Sequence, residues 1–381
     1  MTATTNTPYR AIFCDLLSDR TIDILPLRDV TVDDYLGKAG SLSGTIPVPD
    51  AAMAARVRRI EEGRTSVYLQ RGTDLWWGGI IWTSTLQSDD RGVLTLGIQA
   101  ATFESYAGRR RIRQDLTFTD MDQLELARGL WRHLQTGTVD PLDEGEEPPV
   151  DGGDIGVTYG TETSEQTRSA TYRNGDETVY LEALEALAAL EHGFEHHIAV
   201  YRDPVSGKRV RQLRLGSPQI AIGTTDLVMD RPGSVLSYSF PRDATRGGTT
   251  ARARGGTNNT NQAEESRPVY ADADEATAQI TAGYPRVDLS SDHNETTSTT
   301  VLKSLATAEL KQATGAVVIP EISVRLDDLV PPALLGRTIR LRIADEWWTE
   351  GLDARYRIVG VKVSPAQRGR PDTAELYLEE A

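Results

Sequence analysis

Three of the five histidines lie together in Glu191-His-Gly-Phe-Glu-His-His197, and their spacing raises the question of a metal. His192 and His196 stand four residues apart, a separation that puts two imidazoles on one helix face. The H-E-x-x-H arrangement of zinc helices is absent, Gly193 is placed to end a helix there, and only His133 and His293 remain as further imidazoles. No metal and no other cofactor is expected. Nucleophilic chemistry has no better support. There is no G-x-S-x-G elbow, and Gly40-Ser-Leu-Ser-Gly44 has a different spacing and precedes a strand rather than a helix. The single cysteine, Cys14, sits in the strand-like run Ala11-Ile-Phe-Cys-Asp-Leu-Leu17 and reads as a small buried hydrophobe. With one cysteine neither an intrachain disulfide nor a thiolate zinc cage can form. Neither G-x-x-x-x-G-K-[ST] nor a G-x-G-x-x-G between strand and helix occurs, so no phosphate-binding loop is expected.

Two groups of residues suit contact rather than catalysis. Trp76, Trp77 and Trp82 lie on a predicted strand pair, where even spacing puts Trp76 and Trp82 on one side and Trp77 on the other. Packing in a core or an interface explains them most simply, and Trp347-Trp348 is placed at a hairpin tip. Arg242, Arg246, Arg252 and Arg254 form a basic patch in an acidic chain; they could touch DNA or a partner's acidic edge, although a solvated loop is the simpler reading. The expected site residues are therefore interface residues, Trp76, Trp77, Trp82, Arg242, Arg246, Arg252 and Arg254, with no catalytic set. A glycosidase would need two carboxylates about 5–10 Å apart beside a sugar cleft, and with 56 acidic residues the sequence leaves such a pair open.

The elements that must position these residues are mostly strands. The 381 residues are enough for two to four domains of roughly 100–200 residues each. At 39% hydrophobic and 25% charged, the chain can bury a core. The apolar run from Leu184 to Leu190 is far short of the roughly 20 residues of a membrane span, and the N-terminus carries neither a basic nor an apolar leader segment. A soluble protein made in the cytoplasm is expected. The net charge of −15 argues against blanket nucleic-acid binding, but it would suit a wall past which DNA slides. Short strands fill 9–48, a helix spans 50–62 with Asp50 as its cap, and a meander follows at 65–71, 75–86 and 92–101. Helices are predicted at 119–135, capped by Thr119 or Asp120 and closed by Gly137, at 178–192, and at 295–314. Residues 140–154 hold seven acidic residues and no base, and read as an exposed loop. Strands at 194–201 and 210–215 form a hairpin, and 242–266 reads as a long mobile loop. The last 65 residues return to strands. The fold class expected is mainly β with small α/β insertions. Two barrel-like antiparallel domains, 1–102 and 269–381, would flank helix-bearing insertions at 103–240 and a polar loop at 241–268.

Two stretches carry a family resemblance. The first runs through Ala39-Gly-Ser-Leu-Ser-Gly-Thr-Ile-Pro-Val-Pro49, a short helix, Gly63-Arg-Thr-Ser-Val-Tyr-Leu-Gln-Arg-Gly72 and Trp76-Trp-Gly-Gly-Ile-Ile81. The second runs through Val324-Arg-Leu-Asp-Asp-Leu-Val-Pro-Pro-Ala-Leu-Leu-Gly-Arg-Thr-Ile-Arg-Leu-Arg342, Tyr356-Arg-Ile-Val-Gly-Val-Lys362 and Thr373-Ala-Glu-Leu-Tyr-Leu378, with Gly336-Arg337 where the family carries Gly-Asp. Together they resemble minor tail proteins of siphophages that infect actinobacteria, within the wider tail-hub group. The resemblance covers both ends, about 60% of the chain. It implies a homotrimer in the virion, at the tail tip, and the residues, with no catalytic set among them, make a structural protein rather than an enzyme the expectation. Each subunit would supply two barrels to a ring that docks on the tail tube or distal tail protein. Fibre or spike proteins and the tape-measure protein would be further partners, and phage DNA would pass only in transit. A hub of a phage-derived contractile injection system and a carbohydrate- or receptor-binding tail module are the alternatives.

Overall fold

The alternation read in the N-terminal meander builds a sheet whose strands are β1 (Tyr9–Asp15), β2 (Thr21–Leu25), β3 (Arg28–Tyr35), β4 (Ser41–Val48), β5 (Thr65–Arg71), β6 (Asp74–Ser88) and β7 (Leu94–Thr102). The structure is a computed structural model and describes residues 9–143, 145–245, 247–257, 266–294, 296–313, 317–318, 320–326, 329–366 and 371–381. By packing, the chain divides into two units. One comprises residues 1–185, 194–238 and 321–381, the other 186–193 and 239–320.

In the larger unit one 13-stranded sheet runs in the order β2-β1-β5-β6-β7-β4-β3 and continues through Leu352–Ser364, Thr373–Glu380, Glu321–Arg325 and Val235–Ser239. Arg337–Ile343 also pairs with Leu352–Ser364, and Ile222–Arg231 runs parallel to it. The two ends of the chain are thus joined edge to edge: Val363 stands opposite Val32 and Gly360 opposite Tyr35. This corrects the expectation of two barrels, because no strand order among the described residues closes on itself. Parity counting cannot see which edge of a strand finds a partner, and the long Leu352–Ser364 strand serves different neighbours along its length. What holds is the coarser class, mainly β with small helices.

The sheet buries β5 and the first half of β6 on both faces, so Thr65–Leu69 and Leu75–Ile81 are almost wholly inaccessible. Two smaller groups of strands belong to the same unit. Leu116–Asp122 pairs with Thr167–Tyr172, and Glu195–Arg202 forms the expected hairpin with Arg209–Gly216, to which Val157–Tyr159 adds in parallel. The helix predicted from residue 119 begins later, at Gln123–Thr136, because its first residues are taken by the Leu116–Asp122 strand. Its cap is accordingly Asp122, whose carboxylate accepts from the Leu124 and Glu125 N–H groups, and it closes at Gly137 with φ +84°. The helix at Ala51–Val57 is capped by Asp50, as expected.

In the smaller unit, Thr250–Thr257 is the central strand of a four-stranded sheet, flanked by Asp288–His293, Pro268–Tyr270 and Asp274–Glu275. The stretch expected as a mobile loop therefore contains this unit's middle strand. Its alternation is carried by Ala251, Ala253 and Gly255, too small to register as a hydrophobic face. Helix Thr299–Ala313 covers that face with Leu302, Ala306 and Leu310. The small residues are required: a Cβ at Gly255 would stand 3.0 Å from Leu302 Cδ1 and 2.3 Å from the Thr296 carbonyl oxygen. Among the described residues no helix is long and apolar enough to cross a membrane.

Candidate assembly surfaces

The three tryptophans singled out by spacing differ in burial. Trp76 is buried against the edge of Tyr9, with ring centroids 5.3 Å apart, and the Arg71 guanidinium lies 4.9 Å from its ring centre. Trp77 is buried as well and donates from Nε1 to the Asp33 carbonyl at 2.9 Å. Both indoles are covered by this chain. Trp82 is half-buried, donates to Ser105 Oγ and carries the Arg109 guanidinium 4.0 Å above its ring. The β6–β7 register slips between Ile81 and Thr83, which defeats the even-spacing argument that paired Trp82 with Trp76.

Beyond Trp82 the strand leaves the core. β5 pairs with β6 only as far as Ile80, whereas β7 follows β6 to Ser88. From Thr83 to Ser88, β6 therefore has an edge with no strand partner among the described residues. Leu86 and Val93 near the tip of this hairpin are 66% and 55% exposed. An unpaired edge with apolar side chains is a template for strand addition by another chain.

The arginines separate in the same way. Arg252 and Arg254 project from the solvent side of the Thr250–Thr257 strand, where Arg252 lies over the Tyr270 ring and Arg254 pairs with Asp292. Arg242 is exposed on a short strand of the same unit, Arg242–Asp243, and Arg246 lies outside the described residues. Arg252 and Arg254 thus share one face of a strand, and Arg242 lies on a different strand. The histidines are also dispersed. His192 is exposed and follows the helix Tyr180–Ala188, while His196 and His197 are buried on Glu195–Arg202. His197 Nε2 meets Asp34 Oδ2 at 3.1 Å, beside buried Glu104, whose carboxylate accepts from the Ile198 N–H. Burial works to lower the His197 pKa, but the Asp34 and Glu104 carboxylates outweigh it and raise it. Burial pushes the Glu104 carboxyl up. Cys14 is fully buried, and burial raises its thiol pKa. Among the described residues no group of three His, Cys, Asp or Glu side chains is arranged to hold a metal ion.

Sequence reasoning missed two features. Arg211 is buried at the heart of the larger unit, donating to Tyr68 Oη, to the carbonyls of Leu16 and Ile155 and to Asp19. A signal was present in the alternation, since Arg211 shares its strand face with Leu213 and Leu215, both buried. The second is the run Arg109-Arg-Arg-Ile-Arg113, whose four guanidinium groups in five positions were visible in the sequence. Backbone bonds from Ile112 N–H to the Thr178 carbonyl and from Tyr180 N–H to the Arg110 carbonyl hold this run beside a pocket of about 270 Å³.

No protein-family model matches the chain, and no curated protein matches it. Solved structures do. The 43 kDa tail protein of prophage MuSo2 from Shewanella oneidensis superposes over 98% of both chains with a TM-score of 0.61 at 11% identity. The chain has the fold of phage tail proteins. A tail protein from Neisseria meningitidis covers 98% of this chain and 96% of its own at TM-score 0.53 and 13% identity. Prophage tail protein gp18 from Listeria monocytogenes covers 97% and 94% at 0.51 and 14%.

Proposed function

We propose that this chain is a structural, non-enzymatic subunit of a phage-type tail, acting as the hub near the tail tip. The observation that carries the reading is the fold: it follows a prophage tail protein over 98% of both chains. The finer assignment is a homotrimeric ring in the virion. It would join the tail tube or distal tail protein to fibre or spike and tape-measure partners, with DNA passing through its centre. Two features support an assembly role. The Thr83–Ser88 edge of β6 lacks a strand partner among the described residues, and the hairpin tip exposes Leu86 and Val93. A net charge of −15 suits a wall that does not hold phosphate as DNA slides past. Trp82, at the root of the hairpin, is the tryptophan placed to contribute to such a contact.

The test is a Leu86→Arg/Val93→Arg double variant. Both side chains are exposed, so folding is expected to be unchanged while the assembled species is lost in light scattering. An assembly of unaltered mass would remove the hairpin from the interface. A turbidity assay on host cell walls separates this reading from a glycan hydrolase, because the structural reading expects no clearing.

A further inference from the structure

Among the described residues, the Arg109–Arg113 run has fewer carboxylate partners than cations, in an acidic protein. Arg111 and Arg113 share one carboxylate: Arg113 Nε lies 3.2 Å from Glu177 Oε1 and Arg111 Nε 4.0 Å from Glu177 Oε2, while Arg111 also donates to the Glu177 backbone carbonyl at 2.7 Å. Arg109 is held over Trp82 and Arg110 donates to Tyr106 Oη at 2.7 Å, contacts that fix the guanidinium groups without cancelling their charge. Among the described residues, Glu177 is the one carboxylate that forms an ion pair with any of the four arginines. The pocket they border is completed by Gln114, His133 and Tyr180, with His133 between Tyr180 Oη and Gln114 Oε1. Burial lowers the His133 pKa, and the nearby Arg110 cation lowers it further.

We propose that this pocket seats a carboxylate-bearing side chain of a partner polypeptide. Guanidinium forks match carboxylate oxygens two at a time, and a concave wall raises the field they create. An open pocket of about 270 Å³ has room for one acidic side chain and its backbone. The net charge of −15 repels an extended polyanion over long range, whereas a short acidic segment needs only this local complement. The proposal goes beyond the tail reading and stands whether or not that reading does.

Calorimetric titration of the full chain with a hexaglutamate peptide at low salt tests it. Binding is expected, weakened at least tenfold in Arg110→Gln, partly retained in Arg110→Lys, and unchanged in Arg340→Gln, a pair of exposed Asp353 on the sheet. Should Arg110→Gln fail to fold, Arg113→Gln carries the same comparison, since that side chain is 71% exposed. No peptide binding, equal binding by the Gln variants, or binding of inorganic phosphate or a single-stranded oligonucleotide without the peptide would each overturn the proposal.

Discussion

The two units solve the same problem, covering a sheet, with different materials. The larger unit uses large side chains and buries cations among them. Tyr68, Phe103 and Trp131 are fully enclosed, and Arg211 and Arg357 are sunk into hydrogen-bonding networks. The smaller unit uses Ala251, Ala253 and Ala271 against Leu302, Ala306 and Leu310, and has ion pairs such as Arg254–Asp292 and Arg286–Glu275 in solvent. A core of bulky groups tolerates an ion that is completely satisfied. A core of alanines depends on close approach and has no room to give.

Substitutions can sharpen or break that contrast. The largest effect is expected from Arg211→Ala, which leaves the buried Leu16 and Ile155 carbonyls without their donor, takes one hydrogen bond from the Tyr68 hydroxyl, and leaves Asp19 to Arg209 and Tyr68. A loss of about 3–5 kcal/mol in denaturant unfolding is expected, and a loss under ~1 kcal/mol would show that the network adds nothing. Ala253→Leu in the smaller unit overpacks the helix against its strand and is expected to cost about 1–3 kcal/mol, with faster amide exchange confined to 250–313. A neutral result there would mean that the alanine face is loosely packed. Next comes the acid limb of stability. Hydrogen bonding by Arg56, with Arg59 beside it, lowers the Asp23 pKa to about 2, below its ordinary 3.8. A carboxylate lowered on folding stabilises above its unfolded pKa, so this contribution is complete above about pH 4 and fades as the pH falls from 3.8 to about 2. Asp23→Asn should flatten that part of the stability–pH curve; an unchanged slope would discount the pair. The smallest effect is expected from Arg254→Ala, whose partner is exposed: within about 0.5 kcal/mol in thermal melts, with a larger loss placing that pair among the structural ones.

The same contrast explains what was legible in the sequence. Where large apolar residues alternate or recur, as in β1, β4 and β5, position and type could be read directly; for the Gln123–Thr136 helix the type and the end could, but not the start. Asp50 and Gly137 marked helix ends through local chemistry that tertiary packing did not override. The Thr250–Thr257 strand could not be read, because alanine and glycine give no contrast between faces and Arg252 and Arg254 dominate its composition. The joining of both ends of the chain in one sheet was also invisible, since pairing of β3 with Leu352–Ser364 is a choice of edge and not of pattern. Of the expected contact residues, Trp76 and Trp77 are enclosed by this chain, and Arg252 and Arg254 sit on one exposed face. The unpaired edge of β6 could not be inferred, because it depends on where β5 stops. The Arg109–Arg113 run was in plain view, but a short cationic run has no meaning until the fold shows which carboxylates it lacks.

The claim that matters most is that this protein works as an assembly, and mass measures it most directly. Light scattering of the purified chain after gel filtration, with negative-stain images of the peak, should give a particle of about three 41.8 kDa chains with three-fold views around a central opening. A monomer from micromolar to millimolar concentration, with no ring in the images, would contradict it.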